Sequence, residues 1–132
     1  MRKLEASIQK HLILWARNHA KSLLHEIFHI PNGEKRCGNT GYHLKKQGVV
    51  AGVPDLCLPL PDGSCAWVEL KPKKGRLSKT QKKLHARWKM LNQKIYVAYG
   101  FEHAQEILCK VVEGYHVNIG TESSYDSASD RG

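Results

Sequence analysis

Residues 52–71, GVPDLCLPLPDGSCAWVELK, constrain the fold more than any other stretch, because two alternating runs are closed by Pro61-Asp62-Gly63. Proline fixes φ near about −65° and glycine accepts positive φ, so these residues read as a three-residue hairpin loop with a bulge. Leu60 then faces Ser64. Counting back, Cys57 faces Trp67, Leu56 faces Val68 and Asp55 faces Glu69. Strand side chains alternate, so Leu56, Leu58, Leu60, Val68 and Leu70 share one face, while Asp55, Trp67, Glu69 and Lys71 share the other. A two-residue loop on Asp62-Gly63 would put Asp55 and Glu69 on opposite faces.

Around this hairpin, residues 3–24 carry Leu4, Ile8, Leu12, Trp15 and Leu23 near a helical period and predict an amphipathic helix. EIFHIPNG reads as a strand ending in a turn, and Glu34 to Gly52 as a basic, Gly-rich loop holding at most one helical turn. A helix opened by Ser78 runs to about Asn92. KIYVAYG is a further strand, FEHAQEILCKVVEG a helix, and YHVNIG a last short strand. The order αβββαβα predicts an α/β fold, a mixed sheet flanked by helices. Residues 1–120 are expected to form one domain, with Ser- and Asp-rich residues 121–132 as a disordered tail.

No apolar run approaches the roughly 18 residues of a membrane span, and MRKLEASIQK lacks the apolar core of a signal peptide. The expectation is a cytoplasmic protein with no membrane partner. Cysteines 37, 57, 65 and 109 form no CxxC pair, so neither a zinc site nor a disulfide framework is indicated. Lys and Arg number 21 against 12 Asp and Glu, a net charge of +9 that favours a polyanion.

Two carboxylates facing each other across strands about 5 Å apart repel unless a cation lies between them. Oxygen ligands suit Mg²⁺ or Mn²⁺, with coordination positions left for water and a phosphate oxygen. Lys71, one side-chain step beyond Glu69, would orient or help deprotonate attacking water, or neutralise charge on the phosphate. These parts suit phosphodiester hydrolysis. The competing reading is a surface hairpin with a cross-strand salt bridge; the basic surroundings favour the former.

GVPDL, VELK and GRLSKTQ resemble the motifs of the PD-(D/E)XK nuclease superfamily, and in particular its VRR-NUC family in the small stand-alone form of phages and bacteria. The resemblance covers residues 1–110. It implies a restriction-endonuclease-like core, a divalent metal (Mg²⁺ or Mn²⁺), and cleavage of branched or flapped DNA such as Holliday junctions. It further implies a homodimer and, if phage-encoded, action in the cytoplasm of the bacterial host. Asp55 and Glu69 would hold the metal, the carbonyl of Leu70 would add a ligand, and Lys71 would be the catalytic lysine. The family also has an acidic residue on the first helix near the metal, matched by Glu5, which would be a further metal ligand, and a catalytic helix glutamine, matched by Gln81.

Each match has a structural competitor. Glu5 suits a helix N-terminus by the dipole alone. Ser78 and Gln81 spell a capping box, which sets an inward role for Gln81 against a role at the cap. HEIFH, His25 to His29, matches the zinc-protease HExxH pattern, but that motif needs one helical face, and Ile27, Phe28, Ile30 and Pro31 favour a strand. Lys73, Lys74, Arg76, Lys79, Lys82 and Lys83 extend from Lys71 onto the next helix and would track phosphates, with Lys45 and Lys46 as the opposite bank. None suggests base reading, so DNA shape is the expected preference. The rival function is a basic DNA-binding module without catalysis. Trp67, on the site face, would either pack under a helix or touch DNA.

Overall fold

The computed structural model describes residues 2–31 and 46–115. Helix α1 (Arg2–Arg17) leads through a 3-10 turn (Leu23–Glu26) to a short strand β1 (Phe28–His29). Strands β2 (Leu56–Pro59) and β3 (Cys65–Lys71) form the hairpin; helix α2 (Lys79–Met90), strand β4 (Lys94–Tyr99) and helix α3 (Phe101–Glu113) complete the described elements. The strands form one sheet in the order β1-β2-β3-β4. β1 and β3 run antiparallel to β2, while β4 runs parallel to β3. Because β3 and β4 are parallel, the chain must cross the sheet between them, and α2 makes that crossover.

The hairpin has the predicted register: Leu56 pairs with Val68, Cys57 with Trp67 and Leu58 with Ala66. Leu60 N–H donates to the Ser64 carbonyl at 2.8 Å, and Gly63 takes φ +91°, as the three-residue loop requires. The alternation holds as well. Leu56, Leu58, Leu60, Val68 and Leu70 are buried against Ile8, Leu12 and Ala16 of α1 and Ala104 and Leu108 of α3. The opposite face is covered by α2, where Leu84 is fully buried. Trp67 packs edge-on against Trp88 with ring centroids 4.9 Å apart, and its Nε1–H donates to Gln93 Oε1 at 2.9 Å. That settles Trp67 as a packing residue beneath α2.

The first helix is shorter than its apolar spacing predicts, ending at Arg17 rather than near residue 24. Ser22 caps a separate 3-10 turn by accepting from Leu24 N–H at 3.1 Å, which turns Leu23, Leu24 and Ile27 back into the core. A helix continued through residue 24 would carry those side chains away from the sheet. The first strand is likewise confined to Phe28 and His29. Lys45, residues 121–132 and all but Tyr115 of the last expected strand lie outside the described residues. Among the described residues no helix is long and apolar enough to cross a membrane.

Candidate active site

Asp55 stands where the β2–β3 ladder stops. The last pair is Leu56 with Val68, so Asp55 is one residue outside it, and its side chain takes the place of the next backbone acceptor. Leu70 N–H donates to Asp55 Oδ2 at 2.8 Å. From the other side the Asp55 carbonyl accepts from Ile30 N–H at 2.8 Å, with His29 Nδ1 3.1 Å away. The strand entrance is shaped by Gly52, at φ +90°; a Cβ there would meet the Thr80 carbonyl oxygen at 3.1 Å. The glycine of GVPD lets this segment pass the first turn of α2.

Glu69, 1% exposed, is a buried carboxylate and needs polar partners. Gln81 Nε2 donates to Glu69 Oε2 at 3.1 Å. The other end of the same amide, Oε1, accepts from Ser78 N–H at 2.8 Å, and Gln81 N–H donates to Ser78 Oγ at 3.1 Å. One side chain thus fills both roles that the sequence sets against each other.

One turn beyond Gln81 is His85, a residue that no motif singles out. It is 5% exposed, and its Nε2 lies 3.7 Å from Glu69 Oε1, outside hydrogen-bond reach. Nε2 has no hydrogen-bond partner among the described residues. Burial, then the cations of Lys89 and Lys71, hold its pKa below the usual histidine value, so the ring is neutral near pH 7. The signal that finds it is spacing: four residues after an inward glutamine, a helix presents the same face.

Lys71 ends β3 and is 8% exposed. Its Nζ lies 3.8 Å from Glu5 Oε1 on the first turn of α1, and its carbonyl accepts from Gly100 N–H at 2.8 Å. Glu5 therefore reaches the lysine. Among the described residues no three of His, Cys, Asp and Glu converge closely enough to hold an ion by themselves. Asp55 and Glu69 with a backbone carbonyl nonetheless make a hard-oxygen donor set suited to a divalent cation that keeps several waters. Leu70 suits the carbonyl role, because a strand residue directs its N–H and C=O to the same side, here toward Asp55.

Past Lys71, Gly75 N–H donates to the Pro72 carbonyl at 2.8 Å and closes a tight turn that a Cβ at Gly75 would disrupt, 2.8 Å from Pro72 Cδ. Lys73, Lys74, Arg76, Lys79, Lys82 and Lys83 are exposed along this turn and the start of α2, and Lys46 is exposed as well. HEIFH is no helix. His25 and Glu26 sit in the 3-10 turn and His29 in β1, so the single helical face of a zinc protease is missing. Cys57 is buried on the β2–β3 hairpin, and burial, reinforced by Cys65, pushes its thiol up to about 12, which keeps it protonated and unreactive.

No protein of curated function matches the chain. Among solved structures, one described as a VRR_NUC domain protein superposes with a TM-score of 0.69 at 18% identity, covering 83% of this chain and 88% of its own. A second, described as a VRR_NUC domain, gives 0.52 at 19% identity over 85% of this chain and 97% of its own. Both likenesses are of fold. The family model for the VRR-NUC domain matches residues 2–102, which span every element from α1 through β4 and all the residues gathered around Asp55, Glu69 and Lys71. The chain therefore belongs to the VRR-NUC domain family, a family of nuclease domains.

Proposed function

We propose that the protein is a divalent-metal-dependent DNA endonuclease that hydrolyses phosphodiester bonds in branched or flapped DNA. The observation that carries this reading is the polar end of an otherwise apolar hairpin: Asp55 accepts from Leu70 N–H, Glu69 is buried and hydrogen-bonded by Gln81, and Lys71, also buried, ends β3 beside Glu5. Asp55, Glu69 and the Leu70 carbonyl would hold Mg²⁺ or Mn²⁺. Bound there, the ion would polarise the phosphate and lower the pKa of a water. Gln81 fixes the orientation of Glu69, and His85 fills the space behind it. Lys71, with Glu5 3.8 Å away to orient it, places a positive charge where the nucleophile and the developing phosphate charge need one. Exposed lysines from Lys73 to Lys83 would grip backbone phosphates without reading bases, which favours DNA shape over sequence. A homodimer would suit a four-way junction, with one site for each of two strands.

The test is cleavage of a labelled four-way junction, a flap and a matched linear duplex, with Mg²⁺, with Mn²⁺ and with chelator, comparing wild type and Lys71→Ala. Metal-dependent cutting that falls at least about 100-fold in the variant, with the branched substrates cut faster than duplex, is the expected result. Salt-sensitive binding without cutting under either metal would instead leave a DNA-binding module.

A further inference from the structure

We infer that an apolar pocket beside the candidate site receives an unpaired nucleobase of the strand being cut, one nucleotide from the scissile phosphate. The inference rests on the nuclease reading above and adds a binding site to it. The pocket, about 490 Å³, lies between the first turns of α1 (Leu4, Ile8), the turn after β3 (Pro72 to Gly75) and the β4–α3 junction (Gly100, Phe101). Its volume falls in the range of small-ligand sites.

Three features select a nucleobase as occupant. First, position: Leu4 is the chain neighbour of Glu5, and Pro72 of Lys71, so the pocket opens next to the groups proposed to act on the phosphate. Second, charge complementarity: the charged residues in its wall are Lys73 and Lys74, both exposed, which suits a flat apolar base attached to an anionic backbone. Third, surface chemistry: Phe101, partly exposed, supplies the kind of aromatic face on which bases stack without regard to sequence, and buried Pro72 adds apolar wall. Gly100 has φ +96° and no Cβ, and Lys73 Cγ passes 3.0 Å from where one would stand, so the lysine stem lies over the start of α3. Leu4 is 53% exposed although it sits on the apolar stripe of α1, because nothing else in the described chain fills the space in front of it.

A paired base within a duplex cannot enter such a pocket, whereas a base at a branch point or flap junction is already unstacked. The pocket would therefore supply part of the preference for branched DNA.

The experiment uses full-length protein and a flap substrate carrying one tetrahydrofuran abasic nucleotide on either side of the mapped cut, with wild type and Leu4→Trp, which fills the pocket from an exposed helix position. In wild type, removing the base at one of the two positions should lower kcat/KM about ten-fold, the size of a base-stacking contact. In Leu4→Trp the intact substrate should already show that loss, and the abasic change should add less than about two-fold, as coupled partners do. Binding measured by anisotropy with Ca²⁺ should show the same coupling without turnover. Metal- and Lys71-dependent cutting that ignores the abasic site at both positions would overturn the pocket and leave the nuclease. If wild type cuts nothing, the nuclease reading fails, and the Ca²⁺ binding arm alone then decides for or against base capture. A changed oligomeric state of Leu4→Trp, with no coupling to the base, would assign the pocket to a protein contact and also overturn the inference.

Discussion

At the scale of single residues, His85 is the most informative side chain. A buried neutral imidazole 3.7 Å from a buried carboxylate adds little to stability as it stands, since a polar atom without a hydrogen bond carries a desolvation cost. An isosteric apolar replacement removes that cost. His85→Leu is expected to unfold at the same or a higher denaturant concentration than wild type, while losing about 10- to 100-fold in cleavage because the polar ring beside Glu69 Oε1 is replaced by methyl groups. A rate measured against Mg²⁺ or Mn²⁺ concentration checks this: the half-saturating concentration should rise, and equal loss of stability and activity would mean His85 is only core. The register of the hairpin and the burial of its apolar face were legible in the sequence, because period-two alternation needs only the turn to set them. His85 was not, since the burial of a histidine is decided by what the helix docks on. The two-sided use of the Gln81 amide was hidden for the same reason: a capping box predicts one end of the side chain and says nothing of the other.

Helix α2 is the element on which site geometry depends, for it alone brings Gln81 and His85 to Glu69. Its first turn is fixed by the reciprocal bonds between Ser78 and Gln81 and by the close pass of Gly52 beneath Thr80. Losing the cap should therefore cost both stability and function. Ser78→Ala is expected to destabilise the fold by about 1 kcal/mol, and Ser78→Asp, which can still accept from the helix N–H groups, to recover most of it. Chemical denaturation reads the first number. Cleavage by Ser78→Ala at a temperature where it is fully folded reads the second, and should fall several-fold as the first turn of α2 loosens without the bond from Gln81 N–H to Ser78 Oγ, although the Ser78 N–H that holds Gln81 Oε1 remains. Element order and strand pairing were legible from the hairpin and from the Ser78 start signal. The end of α1 was not, because Leu23 continues the helical period of Leu4 to Trp15 while belonging to a turn that Ser22 caps on its own. Periodicity cannot separate a helix that goes on from a chain that folds back to the same core. The pocket was invisible for a further reason: its walls come from segments far apart in sequence.

Across the whole molecule, the end away from the candidate site is tied by a polar clasp. Asp62 in the hairpin turn accepts from Ser64, from Lys94 Nζ at 3.0 Å and from the Tyr115 hydroxyl at 3.1 Å, so the loop, the start of β4 and the second residue after α3 meet at one carboxylate. The Ser64 hydrogen bonds, then Lys94, hold the Asp62 carboxyl well below its ordinary value of 3.8, and Asp62 in turn raises Lys94 above 10.5. The signs follow from these directions. A carboxyl with a depressed folded pKa contributes its full stabilisation above about pH 4 and loses it as the pH falls toward the folded value; a lysine with a raised folded pKa contributes below about pH 10.5 and loses it above. Both groups are at the surface, so the effect is modest and screened by salt. Asp62→Asn should lower the thermal midpoint by a nearly constant amount from pH 5 to pH 8, with the gap to wild type closing toward pH 2, because below its ordinary value the carboxyl of the unfolded wild-type chain takes up a proton that the folded one does not. A gap that stays constant down to pH 2 would show that the clasp acts through its hydrogen-bond geometry and not through the charge. Cleavage at pH 7 should be unchanged by this substitution, since the clasp and the candidate site lie at opposite ends of β2, β3 and β4, and activity lost in Asp62→Asn would reveal that the hairpin must be held at its tip for the site residues to keep their places.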